Sequence, residues 1–112
     1  MLYDLIIGAP AGGTTHLIMP DTIQPKHGYF VGGHGPCLVL PSMEHLTREL
    51  ADSFASHIRT DWVGWWTDSE TGKIYLDAVQ WYPFRVDAER EARYAGEIAF
   101  YDVANDSDVR LA

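Results

Sequence analysis

The first residues of the chain nearly reproduce a phosphate-binding loop. An apolar run leads to Gly8, four further residues, Gly13 and Thr14–Thr15, which is the Walker A spacing with threonine in place of the lysine. Such a loop requires a helix that begins at its last glycine and an ammonium group, because both hold the phosphates. Here two prolines follow within twelve residues, and proline is not tolerated in a helix interior. We therefore predict that residues 8–13 form a turn without phosphate affinity.

A cysteine and a histidine have the spacing of a nucleophile and its base. Cys37 lies three residues after His34, which is compatible with a thiol activated by an imidazole. Cys37 also opens the apolar run 37–40, however, and a cysteine in such a run usually behaves as a small buried hydrophobe. We predict that Cys37 is buried and inert.

Carboxylates are too frequent in this chain to identify a catalytic pair. Asp61 and Asp77 are candidates for general acid–base work, but among sixteen acidic residues two within reach would arise by chance. We assign no catalytic residue, and an enzyme is the least favoured of the function classes considered.

The five histidines do not have the spacing of a metal site. None forms an HxxxH pair, and His45 and His57 lie about three helical turns apart, too far to share one ion. The single cysteine cannot nucleate a thiolate zinc site. We predict neither a metal nor a cofactor. The histidines are His16, His27, His34, His45 and His57.

Composition indicates one acidic domain over residues 1–112, with a polar, acidic tail at about 105–112. The net charge of −8 repels nucleic acid phosphates and anionic lipid and favours basic partners, so we expect no direct nucleic-acid binding. No stretch reaches the roughly 18 apolar residues of a membrane span, and the first residues lack the basic flank of a signal peptide. A single cysteine fits a reducing compartment. We expect a cytoplasmic protein that does not enter membranes.

The hydrophobic periodicity predicts an α+β fold with a mostly antiparallel sheet of about five to six strands and two helices. Apolar residues at three- and four-residue spacing predict a long helix at about 43–58, capped by Ser42. A shorter helix is expected at about 87–95, capped by Asp87 and stopped by Gly96. The segments that favour strands are 2–7, 14–19, 29–31, 37–40, 61–67, 73–82 and 97–103.

The segments 61–67 and 73–82 read as a β-hairpin whose register follows from its turn. If Asp68 pairs with Lys73, one face of the hairpin holds Val63, Trp65, Ile74, Leu76 and Ala78. The other face holds Trp62, Gly64, Trp66, Tyr75, Asp77, Val79 and Trp81. Both faces are apolar, so each must be covered or must meet a partner. Two interpretations of the second face remain open: the second helix covers it through Ala88, Ala92 and Ala95, or it is an interface.

The interface interpretation names a specific set of residues. Gly64 opposite Asp77 leaves a gap between aromatic side chains, into which an arginine or lysine of a partner would fit. The partner is then a host protein or a second copy of this chain in a homodimer. The predicted partner-binding residues are Trp62, Trp66, Tyr75, Asp77 and Trp81.

A glycine-rich loop supports an alternative function. Consecutive N–H groups in the sequence GGHGP can converge on an anion, although such glycines more often only permit positive φ. With stacking on tryptophan, this loop would make the chain a binder of a nucleotide-like signal. The net charge argues mildly against it, since an anion needs a local basic patch and Arg85, Arg90 and Arg93 form the only basic cluster. The loop residues are Gly32, Gly33, His34 and Gly35.

Three segments resemble small accessory proteins of unassigned function that are encoded by actinobacteriophages. These segments are GYFVGGHGPCLVL, WVGWWTDSETGKIYLDAV and GEIAFYDVAN, which together span about residues 28–105. The resemblance implies expression in the host cytosol during infection and carries no catalytic residue. The favoured hypothesis is therefore a non-enzymatic phage protein that binds and modulates a host protein, with a defence component as one candidate target.

Overall fold

A single antiparallel sheet organises the fold seen in the computed structural model, which describes residues 1–19 and 24–111. Within these residues the protein is α+β, with seven strands and three α-helices, against the five to six strands and two helices predicted. The elements are α1 (Leu2–Gly8), β1 (Gly12–His16), β2 (Tyr29–Val31), β3 (Cys37–Leu40), a 3-10 turn (Met43–His45), α2 (Arg48–His57), β4 (Trp62–Thr67), β5 (Ile74–Tyr82), α3 (Arg85–Tyr94), β6 (Ala99–Asp102) and β7 (Ser107–Arg110).

The long strand β5 lies at the centre of the sheet. The strand order is β1-β4-β5-β2-β6-β7, and β3 also pairs with β5. Strand β3 pairs with the first half of β5, whereas β2 pairs with its last three residues. Every pairing among the described strands is antiparallel, which agrees with the prediction of a mostly antiparallel sheet. Strands β2 and β3 have the predicted bounds, because glycines and Pro36 delimit their short apolar runs.

The predicted hairpin register is confirmed. Asp68 N–H donates to the Lys73 carbonyl oxygen over 2.8 Å, and the pairing runs without a bulge from Thr67 opposite Ile74 to Trp62 opposite Val79. The turn therefore determines which side chains of β4 and β5 share a face.

All three helices cover the same side of this sheet. Alternate residues of β5, from Ile74 to Ala78, pack with buried side chains of α1 and α2. On the last part of β5 the same alternation continues through Gln80, which lies opposite Val31. Val31 in turn packs against Ala88 and the rest of α3. The second helix predicted from the sequence corresponds to α3. This helix does not cover the face that holds Trp62 and Trp81, so that interpretation is wrong.

The segment predicted as a first strand, residues 2–7, is instead helix α1. Leu2 and Ile6, one helical turn apart, are buried in the cluster formed with α2. Arg48, at the start of α2, donates two hydrogen bonds of 2.8 and 3.0 Å to Asp4. The isoleucine-rich composition favoured a strand, but packing of one helix on another overrides such a preference.

The long helix predicted at 43–58 is interrupted in its first third. Leu46 and Thr47 have extended backbone conformations, which separate the 3-10 turn from α2. The Thr47 hydroxyl accepts a hydrogen bond of 3.1 Å from the Leu50 N–H, so Thr47 rather than Ser42 caps the helix. Leu50 is partly exposed. The side chains that α2 buries are Ala51 and Phe54.

Helix α3 begins at Arg85 rather than at the predicted cap, Asp87. Asp87 lies in the first helical turn, where it forms an ion pair of 2.9 Å with Arg90. The predicted stop is confirmed, because Gly96 follows the helix at a φ of 75°.

The predicted acidic tail, residues 105–112, contains strand β7, although Ala112 lies outside the described residues. This strand pairs with β6, and Val109 and Leu111 pack against the α3 cluster. The prediction missed it because charged residues, Asp108 and Arg110, flank the single apolar position of the strand.

The near-Walker segment is explained by packing. Helix α1 ends at Gly8 and a turn follows. Gly13 then lies in strand β1, whereas a phosphate-binding loop would continue into a helix. A side chain on Gly13 would place its Cβ 2.6 Å from the indole of Trp65, so glycine is required for close approach. The same indole donates a hydrogen bond of 2.8 Å to the Ala9 carbonyl oxygen. The segment therefore holds Trp65 in the core.

The two glycines that match the Walker spacing should respond differently to a methyl group. We expect Gly13→Ala to destabilise the protein by about 1–3 kcal/mol, because the indole of Trp65 must move. Gly8→Ala meets nothing within 4 Å and should leave the stability within about 1 kcal/mol of the parent. Urea unfolding followed by tryptophan fluorescence measures both. Equal stability of the two variants would contradict the packing explanation.

Candidate functional site

The side of the sheet opposite the helices, which we call the open face, carries the residues predicted to bind a partner. Strand alternation places Trp62, Gly64 and Trp66 of β4 on this side. Tyr75, Asp77, Val79 and Trp81 of β5 lie on the same side. The structure thus brings all five predicted residues to one face, but it gives them different environments.

Two of the three predicted tryptophans are occupied by contacts within the chain. Trp62 is 8% exposed and packs edge-on against Phe30 and His16, with ring centroids 5.1 and 5.2 Å away. The Trp81 indole donates a hydrogen bond of 2.9 Å to the His27 carbonyl oxygen. The Trp81 indole also lies against the Cα of Gly28 and leaves no room for a side chain at that position. Both rings therefore stabilise the fold on this face.

Trp66 and Tyr75 form the accessible aromatic part of the open face. Their rings stack in parallel, with centroids 4.5 Å apart and an interplanar angle of 5°. Trp66 is 45% exposed, so one large aromatic surface faces solvent. Tryptophan and tyrosine are the residues most often found at the energetic centre of protein interfaces.

A groove of about 1190 Å³ runs beside this aromatic pair. Gly64 forms part of its wall. Little room remains beside this glycine, because a Cβ placed there would lie 3.3 Å from Val79 and 3.7 Å from Thr14. Phe30 and Tyr101 also contribute to the lining, so the groove combines apolar walls with an open entrance.

Asp77 lines this groove in an unfavourable electrostatic environment. Its Oδ2 accepts a hydrogen bond of 3.3 Å from the Gly33 N–H, whereas Oδ1 is buried and has no hydrogen-bond partner within the described chain. Burial raises the pKa of Asp77, and the charge of Glu97 raises this pKa further. The Gly33 N–H and the neighbouring His34 oppose that shift. The charge of the Asp77 carboxylate is therefore only partly compensated in the free protein.

Glu97 is a site residue that sequence reasoning missed. It follows Gly96 in the connection between α3 and β6, and its Oε1 would lie 2.9 Å from a Cβ placed on Gly32. The Asp77 carboxylate reaches the same point, so the two acids meet at the Cα of Gly32. Nothing local in the sequence indicates that Glu97 approaches Asp77, because the two residues lie 20 positions apart in the chain and belong to different parts of the fold.

The glycine loop predicted as an alternative anion site is already engaged with carboxylates. The Gly33 N–H donates to Asp77, and Gly32 and Gly33 both lie against Glu97. His34 points elsewhere, with its ring 6.1 Å from that of Tyr82 and its Nε2 buried without a partner in the described chain. Two acidic side chains at Gly32 and Gly33 repel a phosphate, so the local charge argues against a nucleotide-like ligand.

The prediction that Cys37 is buried is wrong. Strand β3 pairs with β5 so that Cys37 lies opposite Asp77 on the open face, where the thiol is exposed. Partial burial raises the pKa of Cys37, and the charges of Asp77 and Glu97 raise this pKa further. Within the described residues His34 forms no hydrogen bond with the thiol, and the two acids disfavour the thiolate that a nucleophile requires.

No group of three or more metal-ligating side chains lies within reach of a common point in residues 1–19 and 24–111. Over the same part of the chain, no helix has the length and apolar character needed to cross a membrane. Searches against protein-family models, curated proteins and solved structures find no match. Function is therefore inferred from the geometry of the open face.

The environment of Cys37 predicts slow alkylation of an exposed thiol. We expect iodoacetamide to react several-fold more slowly with the folded protein at about pH 8 than with the unfolded chain, because the thiolate is disfavoured. Asp77→Asn should accelerate the reaction, whereas Asp52→Asn, which changes an exposed residue of α2, should not. A rate in the folded protein equal to that of the unfolded chain would exclude this electrostatic effect.

The raised pKa of Asp77 predicts a pH-dependent gain in stability when its charge is removed. Because this acid ionises less readily in the folded state, its charge lowers the free energy of unfolding at neutral pH. The cost appears as pH rises through the ordinary value of 3.8 and the raised folded value, and it is absent below both. Asp77→Asn should therefore raise the Tm at neutral pH and leave it unchanged at about pH 3.

Thermal unfolding of the parent, Asp77→Asn and Asp52→Asn at both pH values tests this expectation. The side-chain amide in Asp77→Asn keeps a carbonyl oxygen that can still accept the Gly33 hydrogen bond, so the variant removes chiefly the charge. Asp52→Asn removes the same charge from an exposed site and should change stability by no more than about 0.5 kcal/mol. A lower Tm for Asp77→Asn at neutral pH would show that the carboxylate stabilises the fold.

Proposed function

We propose that this protein is a non-enzymatic accessory protein of a phage that binds and modulates a host protein through its open face. The single observation that carries the proposal is an accessible aromatic pair beside an acidic groove, on a side of the sheet that no described helix covers. The phage origin and the host partner come from the sequence resemblance, and a host defence component is one candidate target.

The chemistry of the open face favours a binding role over a catalytic one. The exposed thiol of Cys37 lies opposite one carboxylate and near a second, which disfavours its nucleophilic form. The exposed ring of Trp66 instead offers rigid apolar area at little entropic cost. A partner that covers this ring would also shield the groove from water, which strengthens polar contacts inside it.

A homodimer through the same face is the second arrangement considered. Two acidic copies would bring their grooves together, and repulsion between like charges opposes that contact. A protein of opposite charge is therefore the better occupant. Sedimentation equilibrium distinguishes the two, since a homodimer would be detected without any partner.

The test compares two exposed aromatic residues on opposite sides of the sheet. Trp66→Ala removes the aromatic surface of the open face, whereas Tyr94→Ala removes a 91% exposed ring from α3 on the helical side. Each tagged variant is first checked for an unchanged Tm, and then used with the parent to capture protein from an actinobacterial lysate. The captured protein is identified by mass spectrometry and its Kd is measured with purified components.

We expect Trp66→Ala to weaken binding by about 2 kcal/mol or more, which is roughly a 30-fold increase in Kd. Tyr94→Ala should bind as the parent does. Equal binding by all three proteins would show that the open face is not part of the interface. Unfolding of Trp66→Ala would instead assign this ring to the core, in which case Trp66→Tyr tests the surface with less loss of packing.

A further inference from the structure

The groove on the open face has acidic lining residues and no basic ones among the residues that the structure describes. Four carboxylates contribute to its surface, while no lysine, arginine or histidine does. The lining is otherwise mainly apolar and aromatic. The acidic lining residues are Asp77, Glu97, Asp106 and Asp108.

Neither of the two acids that meet at Gly32 forms an ion pair within the described residues, although ion pairs form elsewhere, for example between Arg48 and Asp4. The nearby His34 offsets the charge of Asp77 only in part. Oδ1 of Asp77 is also buried without a donor. Leaving such an acceptor unpaired costs free energy, and a cation that approaches the two carboxylates would reduce the repulsion between them.

The accessible indole of Trp66 beside these carboxylates fits a flat cation with several donors. Trp66, Asp77 and Glu97 all line the groove. A planar guanidinium can stack on an indole and donate in parallel to a carboxylate, whereas an ammonium is a strongly hydrated point charge that does neither as well. Arginine therefore matches the groove better than lysine.

We propose that the groove binds an arginine side chain of the protein partner, presented on a basic segment of that partner. This inference rests on the proposed function and names the chemistry of its partner. The guanidinium stacks on Trp66 and lies near the carboxylates of Asp77 and Glu97, while a second cation of the segment lies near Asp106 and Asp108. Asp106 already accepts a hydrogen bond from the Tyr101 hydroxyl, so its contribution is mainly one of charge.

The probe is an acetylated and amidated peptide with two arginines separated by three glycines. Its titration into the full-length, nitrogen-15-labelled protein is followed by backbone and indole NMR shifts. We expect saturable shifts at Gly32, Gly33, Gly64 and the Trp66 indole. The same peptide with two lysines should bind several-fold more weakly, and a citrulline version should not bind measurably.

Charge-matched variants separate a specific site from diffuse attraction. Asp77→Asn and Glu97→Gln each remove one charge from the groove and should raise the Kd of the arginine peptide about tenfold or more. Asp52→Asn removes one charge from α2 on the other side of the sheet and should leave this Kd within about twofold of the parent. Equal weakening by all three variants, or the absence of saturable shifts at the groove, overturns the inference.

The outcome is separable from that of the proposed function. A partner whose capture depends on Trp66 but not on Asp77 or Glu97 would retain the open face as an interface and reject the arginine site. Binding of the arginine peptide without any Trp66-dependent partner would retain the cation site and reject the host-protein interface. Binding of the lysine peptide as tightly as the arginine peptide would reject the guanidinium geometry.

Discussion

The alternation of side chains along β5 is the constraint on which the rest of the structure depends. Three other strands pair directly with this one, so its two faces determine what the whole sheet presents on each side. Ile74, Leu76 and Ala78 face the helices and are fully buried. A slip of one residue in the hairpin would exchange these side chains with Tyr75, Asp77 and Val79. A buried aspartate beneath α2 would then destabilise the fold, and this penalty fixes the register.

The elements with strong local signals were predictable from the sequence, and those defined by distant contacts were not. The hairpin register followed from a turn of four residues between Asp68 and Lys73, a local interaction. Helix α1 depends on contacts with α2 more than forty residues away, such as the ion pair of Arg48 with Asp4. Composition alone therefore indicated a strand there. Thr47 interrupts the long helix because its hydroxyl offers a cap that a periodic apolar pattern conceals.

In the candidate site too, local features were predictable from the sequence and distant contacts were not. The face shared by Trp66, Tyr75 and Asp77 was predictable, because alternation within one hairpin creates it. The burial of Trp62 was not, since Phe30 and His16 reach it from strands far away in the sequence. Glu97 escaped prediction for a similar reason. Gly96 indicated where α3 ends, but only the tertiary fold shows that the next residue returns to the glycine loop.

The distribution of charge on the open face lowers the stability of the free protein. An acid whose burial raises its pKa lowers the stability of the folded protein at neutral pH, and a second acid beside it increases that cost. Elsewhere this chain neutralises exposed charges locally, as Arg85 and Glu89 do on α3. Asp77 and Glu97 are held together instead, against a glycine that leaves room for both. A stability cost confined to one groove beside an exposed tryptophan is typical of a binding site whose counter-charge belongs to another molecule. The arrangement that weakens the free protein would thereby favour the proposed complex with a basic partner.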